Sequence, residues 1–166
     1  MVDFFTATSK DVELIRSLAA QTWAHTYGHI LSKEQLDWMF EWMYSIDSLT
    51  QQIEQGQRFF IAQVEGVACA YISIERQKEN QFHFQKIYAV PSVQGKGVGR
   101  ALIEKGIEYV RSFGVFPCRI ELNVNRQNKA LQFYQHMGFS IASQGDFDIG
   151  HGYFMNDYIM AMDIKR

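Results

Sequence analysis

The sequence predicts an α+β fold, a mixed and mostly antiparallel sheet with flanking helices and a central βαβ crossover. Three observations carry that expectation. From Arg58 to Val90 three successive runs follow period two, the first pair joined by Glu65-Gly66, which is the pattern of an antiparallel meander. A glycine-rich stretch, Gln94 to Gly99, then leads into a helical stripe of Val98, Ala101, Leu102, Tyr109, Val110 and Phe113. Arg119 to Val124 follows as a buried strand, so strand, helix and strand stand in the order of a parallel crossover.

Taken in order, Val2 to Ala7 is aromatic and β-branched and reads as a short strand, and Thr8-Ser9 offers a cap for the helix after it. Val12, Ile15, Ala19, Thr22 and Trp23 recur at helical spacing. Leu36, Met39, Phe40, Met43 and Tyr44 do the same after a capping box, Ser32-x-x-Gln35. Ser48 is the expected cap of a short third helix that stops at Gly56. The strands Phe60 to Val64, Val67 to Ile74 and Phe82 to Val90 come next, the last ended by Pro91, which has no N–H for a ladder. Gly114 ends the crossover helix. Ala130, Phe133, Tyr134 and Met137 mark a short helix stopped by Gly138, with Asn128 as its N-cap. Phe139 to Asp146 and Tyr153 to Ile164 close the chain as a pair of strands. With 166 residues, no repeat and no linker, residues 1–166 are expected to form a single domain.

Composition removes several classes of function. Sixteen basic and 18 acidic residues give a net charge of −2, without the basic footprint that phosphate neutralisation by a nucleic-acid-binding protein demands. No apolar run approaches the roughly 20 residues of a membrane span, and Met1-Val2-Asp3 lacks the start of a signal peptide. No nucleic-acid or membrane partner and a cytoplasmic location are therefore expected. Cys69 and Cys118 are too far apart in sequence for a metal or redox motif and read as buried thiols. His25 and His29 have i, i+4 spacing, but Gly28 interrupts it and no further ligand is near in sequence, so no metal is expected.

Gly95, Gly97 and Gly99 alternate at a strand-to-helix junction, clearing side chains from a turn whose amides point at whatever lies above the helix N-terminus. Such a site favours anions, phosphate above all. Lys96 and Arg100 add positive charge. The dinucleotide fingerprint is excluded because the sixth residue counted from Gly95 is Arg100, and the P-loop because Gly95-Lys96 is followed by Gly97.

The stretch Ile87 to Leu102 resembles the acetyl-CoA motif of the GCN5-related N-acetyltransferase (GNAT) superfamily, whose signature is Gln or Arg, two residues, Gly, one residue, then Gly or Ala. Gln94, Gly97 and Gly99 hold those places. Asn128 to Phe139 resembles the superfamily's other cofactor motif, with Asn128, Ala130, Tyr134 and Gly138-Phe139 in register. More narrowly, Trp23 to Tyr27, Leu31 to Leu36 and Asp157 to Met160 are similar to bacterial polyamine acetyltransferases.

The resemblance implies acetyl transfer from acetyl-CoA directly to an amine, without an acyl-enzyme. It implies that the pantetheine arm pairs with Tyr88, Ala89 and Val90, whose edge would be freed if Arg119 to Val124 splays away. The pyrophosphate would rest on Gly95, Lys96, Gly97, Val98 and Gly99 beside Gln94 and Arg100, and an N–H of Ala89 or Val90 would face the thioester oxygen. Asn128 would touch the cofactor. Tyr134, by its residues alone equally a packed aromatic, would protonate the departing thiolate. An alkyl ammonium must also lose a proton before attack. Glu75, His83 and Glu121, or His25 and Tyr27 through water, are open for that role, with Glu75 and Glu121 carried forward as catalytic candidates. A polyamine would need an acidic surround, for which Glu75, Glu79, Asp146, Asp148 and Asp157 are available. The expected partners are acetyl-CoA and a small amine, with homodimerisation left open. A non-catalytic acyl-CoA-binding module and an acetyltransferase acting on protein N-termini or lysines are the alternatives.

Overall fold

A computed structural model describes residues 1–166. Its strands β1 (Val2–Thr6), β2 (Arg58–Val64), β3 (Val67–Lys78), β4 (Gln81–Ala89), β5 (Cys118–Asn125), β6 (Ser140–Gly150) and β7 (Tyr153–Ile164) form one sheet in the order β1-β2-β3-β4-β5-β7-β6. Every pairing is antiparallel except β4 with β5. The helix α4 (Val98–Arg111) makes the crossover between those two. The remaining helices are α1 (Val12–Tyr27), α2 (Lys33–Tyr44), α3 (Ile46–Glu54) and α5 (Ala130–His136). The expected fold class stands.

Adjacent residues of β3 show how the two faces are covered. Tyr71 donates its hydroxyl to that of Tyr44 on α2 at 2.7 Å. Ile72 points the other way, toward α4, where a Cβ built on Gly106 would lie 2.9 Å from Ile72 Cδ1 and 2.5 Å from Phe84 Cζ. Glycine at 106 lets α4 sit directly on the sheet, and any side chain would push it off. On the opposite face Trp23 of α1 packs within 4.9 Å of the Tyr27 ring, 5.5 Å of Tyr44 and 6.1 Å of Tyr88 (ring centroids). These aromatics anchor the helical layer, each burying about 150–250 Å².

Local departures from the expected elements have physical reasons. Ser45, not Ser48, caps α3: its Oγ accepts the N–H of Ser48 at 3.1 Å, while the Ser48 hydroxyl is donated back to Trp42 O at 2.8 Å. Only half of the capping box at α2 forms. Ser32 Oγ accepts the N–H of Gln35, but the Gln35 amide reaches across to Phe154 O at 3.0 Å and ties α2 to β7. At α5 the first residue outside the helix is Lys129, yet Asn128 Oδ1 still accepts the N–H of Ala130 at 2.9 Å, so the capping bond survives one residue upstream. The strand β4 stops at Ala89, one residue short of Val90, and β6 runs on to Gly150.

Opposite β3, the register shifts between Ser73 and Ile74, leaving Gln85 as an extra residue on β4. This bulge brings Lys86 and Tyr88 onto the same face as His83.

Candidate active site

The glycine turn is built as the sequence requires. Gly95 and Gly97 take φ of +79° and +82°, a region open to glycine but strained for other residues. A Cβ at either would meet no protein atom within 4 Å, so the space above them is free. The amides of Gly95, Gly97, Val98, Gly99 and Arg100 have no backbone acceptor, and the first intrahelical bond comes from Ala101 N to Gly97 O at 3.1 Å. The N–H of Lys96 is directed back to Val93 O. Five free donors at the positive end of a fourteen-residue helix make an anion cradle. Gln94 braces it by donating its side-chain amide to Ala89 O at 3.1 Å.

Beside the cradle the sheet opens. Parallel pairing of β4 with β5 covers only Gln81–Phe84 against Arg119–Leu122, although β4 continues to Ala89 and β5 to Asn125. The gap is a cleft of about 770 Å³ that runs to the glycine turn, with Ile87 and Ala89 on one wall and Asn123 and Val124 on the other. Val90 donates its N–H to Cys69 O at 2.9 Å. Backbone groups alternate in direction along an antiparallel strand, so those of Ile87 and Ala89 face the cleft. Of the two N–H groups considered for the thioester oxygen, Val90's is committed to the sheet and Ala89's is aimed at the opening.

Tyr134 reaches this gap from α5, on the α4 side of the sheet, and Tyr27 reaches it from α1 on the opposite side. Tyr134 is 8% exposed, held between the rings of Phe133 and Phe139, and its hydroxyl makes no hydrogen bond within the protein. Burial pushes its pKa well above the usual tyrosine range, reinforced by Tyr27, so it stays protonated at all physiological pH. The Tyr27 and Tyr88 hydroxyls lie 2.9 Å apart. Burial, partly opposed by that bond and reinforced by Asp157, pushes Tyr27 up to about 12.

Tyr88, Ala89, Gln94, Gly95, Gly97, Gly99, Arg100, Asn128 and Tyr134 thus line one continuous cleft, with His25 and His29 at its rim. Lys96, Val98 and Val90 flank it without lining it, Val98 and Val90 being buried.

Glu75 and Glu121 lie elsewhere. They occupy one cross-strand row on either side of His83, from β3 through β4 to β5. Glu75 accepts the Gln85 amide at 3.2 Å; Glu121 accepts Arg119 Nε at 2.8 Å and the Gln81 amide at 3.1 Å. Burial lowers the His83 pKa against the pull of both carboxylates, which favours its neutral form. Gln85, which lines the cleft and bonds Glu75, is the link between the row and the opening.

Sequence reasoning did not single out Gln85 or Asn123. The bulge at Gln85 leaves no compositional mark, whereas Asn123 was in reach, since it lies on the same face as Glu121 by period two. Among the other acidic residues, Asp146 pairs with Arg126 at 2.6 Å and Asp148 accepts the N–H of Gly150 at 2.8 Å. Cys69 and Cys118 are buried, and burial raises both thiols, which is the wrong direction for a nucleophile. No helix is long and apolar enough to cross a membrane.

Comparison with known proteins identifies a family and a shared fold. Residues 29–149 match the family model described as an acetyltransferase (GNAT) domain. An uncharacterized N-acetyltransferase of Methanocaldococcus jannaschii is 36% identical over 64% of this chain, a match that spans 46% of that protein's own length. A spermidine N(1)-acetyltransferase of Thermoplasma acidophilum is 25% identical over 80% of this chain and 84% of its own. Among solved structures, the PaiA N-acetyltransferase of Thermoplasma acidophilum in complex with coenzyme A superposes with a TM-score of 0.83 over 99% of both chains, at 22% identity.

Proposed function

Because this chain belongs to the GNAT acetyltransferase family, whose co-substrate is acetyl-CoA, we propose that it moves an acetyl group from acetyl-CoA directly to a primary amine of a small molecule, a polyamine being the favoured acceptor. The observation that carries the reading is the opening between β4 and β5, where unpaired strand edge, free amides and a buried tyrosine hydroxyl meet in one cleft.

In this reading the cradle amides from Gly95 to Arg100 hold the pyrophosphate, with Arg100 and Lys96 adding charge at the rim. The backbone of Ile87 completes its hydrogen bonding with the amides of the pantetheine arm, since strand edges otherwise left bare need a partner. Ala89 N–H stabilises negative charge on the thioester oxygen as the amine attacks. Tyr134 supplies a proton to the leaving sulfur. Its high pKa limits that contribution, because a thiol near 8.5 is already an adequate leaving group. The buried cysteines take no part, so the amine attacks the thioester directly.

The polyamine preference rests on the likeness to the spermidine enzyme and on the Glu75 carboxylate, whose side-chain partner is the neutral amide of the cleft-lining Gln85 and which lends negative potential to the approach. An acceptor screen following thiol release tests it. Spermidine turnover is expected to exceed that of amino acids and to fall with rising salt. Equal or better turnover of neutral or acidic amines rejects the polyamine reading.

A further inference from the structure

We infer that Asp157 is the group that receives the acceptor's ammonium and takes its proton, an inference that rests on the acetyl-transfer reading above. Asp157 sits on β7, opposite Asn125 of β5 and Gly145 of β6, and is 2% exposed. Its Oδ2 accepts the Asn123 amide at 3.2 Å, and Asn123 lines the cleft. Its Oδ1 takes no hydrogen bond from the protein. The only unpartnered side-chain polar atoms sealed from solvent are Trp23 Nε1 and Ser73 Oγ, so Oδ1 keeps a sliver of solvent contact.

A carboxylate at this depth with one neutral donor is an incomplete arrangement, because buried charges are ordinarily paired. No Lys, Arg or His lies within 4.0 Å of it. The one arginine that acts on it, Arg126, is bound to Asp146 at 2.6 Å and to Gly145 O at 3.0 Å. The missing cation must come from outside, and the cleft that Asn123 lines is the route. The other ionisable group that senses Asp157 is Tyr27 of α1, which also acts on Tyr134. Tyr27 and Tyr134 line the same cleft as Asn123, the residue that binds the Asp157 carboxylate. Burial raises the Asp157 pKa, against the Asn123 bond and Arg126, and so makes it a better proton acceptor than an exposed aspartate. Glu75 and Glu121 already hold protein donors, Glu121 two of them, one being the Arg119 cation.

Asp157 takes one proton from the ammonium, and the freed lone pair forms the C–N bond to the thioester carbon. The C–S bond breaks, and the leaving sulfur takes a proton from Tyr134. The second proton lost by the nitrogen returns to Tyr134, and Asp157 releases its own to solvent, so the net products are amide, thiol and one proton.

The test compares wild type with Asp157→Asn, which keeps the shape. With an alkyl ammonium acceptor at pH 7.5, kcat/KM is expected to fall at least about a hundredfold, within the usual range for general base catalysis. With trifluoroethylamine, already unprotonated at that pH, the loss should be under tenfold, and calorimetry should give an unchanged acetyl-CoA Kd. Asn123→Ala, at an exposed position, supplies a second readout. It removes the donor to the carboxylate and should move the acid limb of the kcat/KM–pH profile to higher pH. An Asp157→Asn enzyme within threefold of wild type, equal losses with both amines, or an unmoved acid limb in Asn123→Ala overturns the role of Asp157 alone. A wild-type protein that binds acetyl-CoA yet acetylates no amine overturns the acetyl-transfer reading and this inference with it.

Discussion

Phe84 faces Leu122 as the last parallel pair between β4 and β5, and beyond it the two strands part. On β4 the residues Gln85 to Ala89 keep their partners on β3 or bulge away from them, while their other edge is left to the cleft. An unpaired strand edge inside a sheet has a cost in bare hydrogen-bonding groups, and a ligand with its own amides removes it. The separation after Phe84 is thus the feature from which the proposed activity follows.

Gly97→Val should abolish stabilisation by acetyl-CoA. Valine is strained at the φ of +82° found there and would fill the empty space above the amides. Wild type at a hundredfold excess over Kd should gain about 2.7 kcal/mol, seen as a raised Tm. A variant that is folded and still shows the wild-type shift contradicts the placement of the phosphates.

Tyr134→Phe keeps the packing against Phe133 and Phe139 and deletes one hydroxyl that no protein group uses. Stability and acetyl-CoA affinity should change little. The drop in kcat should be about ten- to a few hundredfold, the low end of general acid catalysis. Unchanged kcat makes Tyr134 a packing residue; lost affinity with normal kcat makes it a cofactor contact.

Lys86 predicts a pH dependence unrelated to catalysis. Its ammonium is buried beneath α3, donating to Gln52 Oε1 at 2.6 Å and Gln57 Oε1 at 3.3 Å, and burial lowers its pKa to about 8 against the attraction of Glu75. The unfolded chain, with an ordinary lysine, binds more protons above that pH, so stability rises as pH increases from about 8 toward the unfolded value. Between pH 7.5 and 9.5, below the ionisation of unfolded tyrosines, wild type should gain about 1–2 kcal/mol relative to Lys86→Met. Parallel urea-midpoint curves for the two proteins contradict this.

Asp157 predicts the opposite slope. Its pKa is raised in the folded state, so the folded protein binds the extra proton, and stability falls as pH rises from the ordinary carboxylate range through the folded value. Asp157→Asn should therefore be more stable than wild type at neutral pH, by about 2–4 °C in Tm for each kcal/mol relieved. The advantage should vanish in acid, where wild type is protonated as well. A variant less stable than wild type at pH 7 contradicts the burial of an unpaired charge.

The parts of this protein that were legible in its sequence are those where residue type and backbone are locked together. Gly95 and Gly97 are glycines because their φ values demand it, and Gln94 is fixed by its bond to Ala89 O, so the cradle can be read directly. The meander was equally plain, since period two marks each strand and Glu65-Gly66 turns with positive φ at both residues. What could not be read depends on register. A one-residue bulge at Gln85 reorients the rest of β4, and the meeting of Asp157 with Asn123 needs the pairing of β5 with β7. The Ser45 cap was missed for a related reason: two serines three residues apart both satisfy the rule, and only the end of α2 decides between them.

The most direct test is to incubate the protein with isotopically labelled acetyl-CoA and spermidine, following free thiol by absorbance and both amine and protein by mass spectrometry. The proposed function predicts one acetylated amine for each thiol released, over many turnovers, with no acetyl group on the protein during the reaction. Saturable acetyl-CoA binding without thiol release or product, across spermidine and a panel of simpler amines, would contradict it and leave a protein that binds the co-substrate without using it.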